Sequence, residues 1–177
     1  MNDPPQIVVM GVSGTGKSEV GTRLADRLGM AYIEGDTFHP AANIDKMSTG
    51  TPLTDEDRRP WLRTLAQKLQ DQHAAGVSSV LACSALRRDY REILRGRGPE
   101  PQVMFVHLAA PFDVLRARME SREHFMPASL LQSQFDTLEP LGPDEAGFMI
   151  DVDAPLADVV ATAVVAVRSK IGHPGAG

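Results

Sequence analysis

The chain has 177 residues, a length typical of one domain, and 42% of them are hydrophobic, enough for an ordinary buried core. Its formal net charge of −5 argues against a nucleic-acid partner, which needs a basic surface. The single cysteine, Cys83, excludes an intrachain disulfide, and no apolar stretch approaches the ~20 residues of a membrane-spanning helix. With no signal peptide recognisable at the N-terminus, we expect a cytoplasmic protein without a membrane partner.

The first predicted strand covers residues 7–10 and leads directly into the segment Gly11-Val12-Ser13-Gly14-Thr15-Gly16-Lys17-Ser18. This segment matches the P-loop pattern, and apolar residues at helical spacing follow it, as the motif requires. Glycines let the backbone approach an anion closely, and free N–H groups at a helix start attract phosphate.

We therefore expect a nucleoside triphosphate at this loop, with Lys17 on the outer phosphates and the Ser18 hydroxyl on Mg2+. The alternative is a chance glycine-rich turn. The predicted nucleotide-binding residues of the loop are Gly11, Ser13, Gly14, Thr15, Gly16, Lys17 and Ser18.

Predicted strands and helices alternate along the rest of the chain. Later strands are expected at residues 30–33, 77–83, 103–108 and 147–152, and later helices at 61–69, 86–95, 112–119, 128–136 and 155–167. This order predicts a single α/β domain over residues 1–177: a three-layer sandwich with a mostly parallel five-stranded sheet between helices. Ligands of such folds bind at the carboxyl ends of the strands.

Two polar stretches are too long or too charged for simple connections. Residues 37–60 contain several prolines and suit a short helix with loops, and residues 121–127 break the apolar rhythm. In a phosphoryl-transfer enzyme these stretches would be the acceptor-binding segment and a mobile lid. The tail, residues 172–177, is expected to be disordered.

An acidic pair ends the second predicted strand. Glu34 and Asp36 are two residues apart, so on extended backbone both carboxylates face the same side, toward the phosphate site. Asp36 is the candidate base or orienting group for an acceptor hydroxyl, and Glu34 a candidate for the Mg2+ shell. The alternative for Asp36 is a helix cap. No acidic residue ends the third or fourth predicted strand, where motor-type ATPases usually place one.

Several runs of sequence resemble the gluconate kinase family. They are residues 10–18, Gly35-Asp-Thr-Phe-His-Pro40, residues 43–47, 50–58 and 60–62, Cys83-Ser-Ala-Leu86 with the residues up to Arg91, and His124-Phe125 followed by residues 134–138. The resemblance extends from about residue 7 to 167. It implies a nucleoside-monophosphate-kinase-like fold and ATP-dependent phosphorylation of D-gluconate at its 6-hydroxyl. It also implies Mg2+ and a homodimer. The family often has Asp at the position of Glu34.

Gluconate is a linear anion with many hydroxyls, so its site needs cations and hydrogen-bonding groups. Arg58 and Arg87 are the first candidates for its carboxylate, because the guanidinium fork matches that group. The predicted acceptor-binding residues are Asp36, His39, Lys46, Arg58, Ser84, Arg87, Tyr90 and His124. Related kinases suggest Arg118 near the adenine and Arg122 over the transferring phosphate. The turn at Pro155 is expected at the adenine edge, because it follows the last strand beside the P-loop. Lys17, Asp36 and Arg122 are thus the catalytic candidates.

Plainer interpretations stay open beside these. Ser84 could be the N-cap of a helix starting near Ala85, and Trp61 could be a core residue. The arginines at positions 87, 88 and 91 could form a solvated helix face, and Arg118 and Arg122 a surface pair. Three other functions compete: a kinase for another acceptor such as shikimate, a P-loop nucleotide switch or binding module, and a nucleic-acid kinase.

Overall fold

The computed structural model describes residues 3–99, 101–121 and 128–172. The strands in this part of the chain are β1 Gln6–Met10, β2 Ala31–Glu34, β3 Ser79–Ala82, β4 Val103–Ala109 and β5 Gly147–Asp151. The helices are α1 Lys17–Leu28, α2 Ala41–Ser48, α3 Asp55–Ala74, α4 Arg88–Arg95, α5 Phe112–Glu120, α6 Ala128–Thr137 and α7 Leu156–Ile171, with a short 3-10 helix at Gly35–Phe38.

The five strands form one parallel sheet in the order β2-β3-β1-β4-β5. Every residue of β1 is buried, as expected for the central strand of a sheet covered on both faces. The predicted α/β fold is confirmed. Because β1 lies between β3 and β4, the loop after Met10 emerges between the carboxyl ends of those strands. This position is where open parallel sheets bind ligands.

The helices supply the rest of the core. On α1, Val20, Leu24 and Ala25 are buried, and α1 contacts α7 and strands β2 and β3. Helix α3 packs against α4 and buries Trp61 and Leu65 among others. No helix in residues 3–99, 101–121 or 128–172 is long and apolar enough to cross a membrane.

The acceptor segment is more helical than the sequence suggests. Helix α3 begins at Asp55, before Pro60, because Thr54 and Asp57 form a reciprocal capping box at its start. The Thr54 side chain accepts from the Asp57 N–H at 3.1 Å, and the Asp57 carboxylate accepts from the Thr54 N–H at 2.9 Å. Helix α4 begins at Arg88, with Arg87 at its N-cap position. The interpretation of Ser84 as a helix N-cap is therefore wrong.

Candidate active site

The P-loop adopts the geometry that its glycines allow. Gly11, Gly14 and Gly16 have φ angles of +144°, +84° and +85°, which L side chains rarely adopt. A Cβ on Gly11 would lie 2.5 Å from the Leu108 carbonyl oxygen of β4, so this glycine also permits close contact with the sheet. Gly16 is the N-cap of α1, and the helix begins at Lys17. The N–H groups of this helix start are available to a phosphate.

Lys17 lies inside the loop. Its ammonium donates to the Val12 carbonyl at 3.1 Å, and the Thr15 hydroxyl donates to the same oxygen at 2.8 Å. Burial lowers the pKa of Lys17, while the negative charges of Asp36 and Glu34 oppose this effect. The lysine and the two carboxylates are thus close enough to interact electrostatically.

The acidic pair reaches this site by a different backbone path from the predicted one. Glu34 ends β2, but Asp36 lies in the 3-10 helix Gly35–Phe38, so the expected extended backbone is wrong. A Cβ on Gly35 would lie 2.3 Å from the Ala82 carbonyl oxygen, so the turn packs tightly against β3. Neither this helix nor α2 has a side-chain cap, so the described structure gives no support to Asp36 as a cap.

The candidate metal donors are oxygen atoms. The Tyr32 hydroxyl donates to the Glu34 carboxylate at 2.5 Å and also interacts with the Ser18 hydroxyl. Burial and the Glu34 hydrogen bond raise the pKa of Tyr32 to about 12, so it remains a neutral donor. A Ser hydroxyl and one or two carboxylates beside bound phosphates fit Mg2+, which takes hard oxygen ligands and keeps several waters. Ser18 and Glu34 therefore suit this ion.

One cavity joins the P-loop to the acceptor segment. Six of the predicted site residues line it: Ser13, Lys17, Asp36, His39, Arg58 and Ser84. The cavity wall also includes Met47, Trp61, Leu86, Leu130, Ser133 and Gln134, to which the sequence analysis assigned no substrate role. Donor-side and acceptor-side residues thus face the same space.

His39 has a fixed position in this wall. Its ring stacks on Trp61 with centroids 3.9 Å apart, and its Nδ1 lies 3.2 Å from the Asn43 side-chain nitrogen. Its Nε2 is 3.9 Å from the Asp36 carboxylate. Burial lowers the pKa of His39, which favours the neutral ring. Trp61 is buried and donates to the Gly35 carbonyl at 2.8 Å, so it is a core residue that also borders the cavity.

The two candidate arginines differ. Arg58 lines the cavity, and its Nη1 donates to the Leu53 carbonyl at 2.8 Å and to the Tyr90 hydroxyl at 3.1 Å. Arg87 does not line the cavity and pairs with Asp55 at 3.0 Å and with Glu139 at 3.4 Å. The structure therefore favours Arg58 over Arg87 for a substrate carboxylate.

Lys46 and Tyr90 are not among the residues that line the cavity. The Lys46 ammonium pairs with the Asp57 carboxylate at 2.7 Å, at the start of α3. Tyr90 is buried; its hydroxyl donates to Asp55 and accepts from Arg58. Their contacts hold α3, α4 and Arg58 in place. The geometry therefore favours a supporting role for Lys46 and Tyr90 over direct contact with substrate.

Gln134 is a cavity residue for which the sequence predicted no role. Its side-chain oxygen accepts from the Ser13 N–H of the P-loop at 2.7 Å, and it also lines the cavity. Residues 134–138 were part of the family resemblance, but nothing in the sequence indicated that α6 would cross the P-loop. The only sequence signal for a role of Gln134 is that it belongs to residues 134–138, which resemble the family.

The two residues predicted to lie near the adenine, Arg118 and Pro155, are close in the fold to the end of β5. Arg118 on α5 donates to the Val152 carbonyl just after β5, and Pro155 is at the N-cap position of α7. A Cβ on Gly14 would lie 3.2 Å from Met119, so α5 also touches the P-loop. Helix α5 thus contacts both the P-loop and the segment between β5 and α7 that contains Pro155. Arg122 and His124 lie outside the described residues, as does most of the proposed lid.

The arginines of α4 do not form one solvated face. Arg88 is partly exposed and pairs with Asp144, but Arg91 is fully buried. The solvated interpretation is therefore wrong for Arg91, which binds Glu145 through two nitrogens at 2.7 and 2.9 Å. Cys83 is also buried, and burial raises the pKa of its thiol to about 12, which argues against a nucleophile.

Comparison with known proteins decides the family. A model described as an AAA domain matches residues 7–141. The gluconokinase of Gluconobacter oxydans (strain 621H) is 55% identical over 143 residues, which are 80% of this chain and 79% of that protein. The chain belongs to the gluconokinase family. The family membership inferred from the sequence is confirmed.

Solved structures agree with membership in the gluconokinase family. A gluconokinase from Sinorhizobium meliloti 1021 has a TM-score of 0.87 at 44% identity, covering 97% of this chain and 96% of that chain. A shikimate kinase from Acinetobacter baumannii, solved with shikimate, has a TM-score of 0.62 at 19% identity, covering 95% of each chain. The second likeness shows the shared P-loop kinase fold alone.

Proposed function

We propose that this protein transfers the γ-phosphoryl group of ATP to the 6-hydroxyl of D-gluconate, giving 6-phospho-D-gluconate and ADP. The observation that carries the proposal is that Lys17 of the P-loop and Asp36 and Arg58 of the acceptor segment line the same cavity. A nucleotide switch does not need an acceptor cavity of this kind. The relatives named gluconokinase support gluconate as the acceptor.

The donor is held by the P-loop in this proposal. Backbone N–H groups and the start of α1 bind the phosphates, and Lys17 leaves the Val12 carbonyl to pair with the β- and γ-phosphates. Ser18 and Glu34 would hold Mg2+, which neutralises phosphate charge when bound. Arg118 and Pro155 are proposed to lie beside the adenine.

The acceptor lies against the wall formed by His39, Arg58 and Ser84. Arg58 binds the gluconate carboxylate, and Asp36 orients the 6-hydroxyl and takes its proton. The hydroxyl oxygen attacks the γ-phosphorus in line, and the bond from that phosphorus to the β-phosphate bridging oxygen breaks. Catalysis is then mainly positioning and charge neutralisation.

The remaining features are proposals from the sequence and the family. Residues 121–127 act as a lid that excludes water, with Arg122 over the transferring phosphate and His124 near the acceptor. We also propose one catalytic domain and a homodimer. The cytoplasmic location stays a prediction.

A coupled ADP-release assay tests the function. The purified protein is incubated with ATP, Mg2+ and a panel of sugars, aldonates and shikimate. We expect ADP release that depends on gluconate, with 6-phosphogluconate as the product. ADP release that is equally fast without an acceptor, or selective for shikimate, contradicts the proposal.

A further inference from the structure

Ala85 has an unusual backbone conformation at the edge of the acceptor cavity. Its φ angle is +46°, and it is the only non-glycine residue with a positive φ among the described residues. It is fully buried, and this conformation is unfavourable for a residue with a Cβ. Its neighbours Ser84 and Leu86 both line the cavity. The backbone of Ala85 therefore sets the direction of two cavity-lining residues.

The carbonyls of residues 84–86 are each held by a different element. The Ser84 oxygen accepts from the Gly11 N–H of the P-loop at 3.1 Å, and the Leu86 oxygen accepts from the Glu139 N–H at 2.7 Å. The Ala85 oxygen accepts from Arg91 Nη1 at 3.0 Å. Of these three contacts, only the one to Ala85 comes from a side chain, so it is the one that a substitution can remove.

Arg91 is itself fixed by a buried carboxylate. Its Nε and Nη2 donate to the two oxygens of Glu145 at 2.7 and 2.9 Å, and both side chains are at most 1% exposed. Glu145 also accepts from Arg95 at 2.9 Å and from the Gly142 N–H at 3.2 Å. The hydrogen bond from Arg91 lowers the pKa of Glu145 to about 2, so the carboxylate stays charged.

A buried ion pair is weak support for stability, because both charges lose their hydration. A fixed guanidinium is well suited to holding a backbone carbonyl in place, because its planar fork binds several acceptors in set directions. We propose that Arg91 is a positioning residue for the acceptor: held by Glu145, it keeps Ala85 in its left-handed conformation and so aims Ser84 and Leu86 at gluconate. This inference rests on the proposed kinase function.

The test is Arg91→Lys, which keeps a positive charge opposite Glu145 but cannot span Glu145 and the Ala85 carbonyl as the fork does. We expect the KM for gluconate to rise at least about tenfold, while the KM for ATP changes less than about twofold. The matched control is Arg88→Lys, one turn earlier on α4, whose partner Asp144 lies in the same loop as Glu145. Both KM values should stay at wild-type level in this control.

Two further variants distinguish positioning of the acceptor by Arg91 from a purely structural role of this residue. Leu94→Ala removes a buried side chain of α4 and lowers Tm, but it leaves the hydrogen bonds of Arg91 to Glu145 and to the Ala85 carbonyl in place. We expect wild-type KM values from it at a comparable loss of Tm. Adding Ala85→Gly to Arg91→Lys should restore much of the KM for gluconate, because glycine adopts a positive φ without cost.

The proposal is overturned if the KM for gluconate in Arg91→Lys stays within about twofold of wild type, or if the KM for ATP rises equally. An equal rise in Leu94→Ala, or no rescue by Ala85→Gly, overturns it too. If Arg91→Lys does not fold, Glu145→Gln replaces it with the same expectation and the same contradicting result. A wild-type protein inactive on gluconate contradicts the proposed function instead, whereas an active wild type with unshifted variants contradicts only this inference.

Discussion

The backbone N–H of Ser13 donates a hydrogen bond to the side-chain oxygen of Gln134 at 2.7 Å, joining the P-loop to α6. Because Gln134 also lines the cavity, one side chain touches both the nucleotide loop and the acceptor space. The contact links residues 121 positions apart in the chain. It gives α6 a direct influence on the shape of the P-loop.

Gln134→Leu should therefore lower kcat/KM. The substitution leaves the Ser13 N–H without this partner, and an unsatisfied donor costs about 1–3 kcal/mol, or roughly 5- to 150-fold. Steady-state kinetics with ATP and gluconate measure the effect. The control is Gln132→Leu on the same helix, an exposed residue bonded to Asp136. Equal effects of the two substitutions would show that the Ser13 contact is unimportant.

Lys17→Ala tests the P-loop assignment. Loss of the cation beside the transferring phosphate should lower kcat by about two orders of magnitude or more. The fold should survive, because the Lys17 ammonium donates its hydrogen bond to the Val12 carbonyl within its own loop and does not join two elements of the core. Circular dichroism and Tm check folding, and single-turnover kinetics measure the rate. Near-normal turnover would contradict the assignment.

Asp36→Asn separates chemistry from nucleotide binding. The amide keeps the size of the side chain but cannot take a proton from the acceptor hydroxyl, so kcat should fall about 100-fold or more. Binding of ATP, measured by titration calorimetry, should change little, since the P-loop is intact. Full kinase activity in this variant would mean that Asp36 has no role in transfer.

Arg58 and Arg87 form a matched pair. Arg58→Met should raise the KM for gluconate about 10- to 100-fold, since a charged hydrogen bond contributes about 1.5–3 kcal/mol. Arg87→Met should raise it less, because Arg87 is engaged by Asp55 and Glu139 outside the cavity. A larger effect at Arg87 than at Arg58 would reverse the ranking that the structure supports.

We expect the stability of the protein to depend on pH because of His107. Burial on β4, with a smaller effect of Arg91, lowers its pKa from 6.5 to about 4. The unfolded chain therefore takes up a proton first as the pH falls, and stability is lost between about pH 6.5 and 4, by up to about 3 kcal/mol. Urea unfolding of the wild type and of His107→Gln at pH 7 and pH 5 measures it. Identical losses in both proteins would rule out His107 as the cause.

The local patterns of this chain were sufficient to predict its architecture. A glycine-rich loop between an apolar strand and a helix permits few arrangements, and alternating apolar segments specify a parallel sheet with helices around it. The resemblance identified the gluconokinase family through runs such as Gly35–Pro40 and Cys83–Leu86, because their combination is far more specific than the P-loop.

The tertiary structure decided which polar residues face the cavity. Arg58 and Arg87 look alike in sequence, but Arg87 forms ion pairs with Asp55 and Glu139, whereas Arg58 lines the cavity. Arg91 is buried because it pairs with Glu145, which lies 54 positions away in the chain. A pattern of charged residues on a helix does not reveal such a partner. Such pairings depend on contacts between distant segments, which local sequence periodicity does not encode. The P-loop is recognisable from its sequence, whereas its contact with Gln134 exists only in the folded chain.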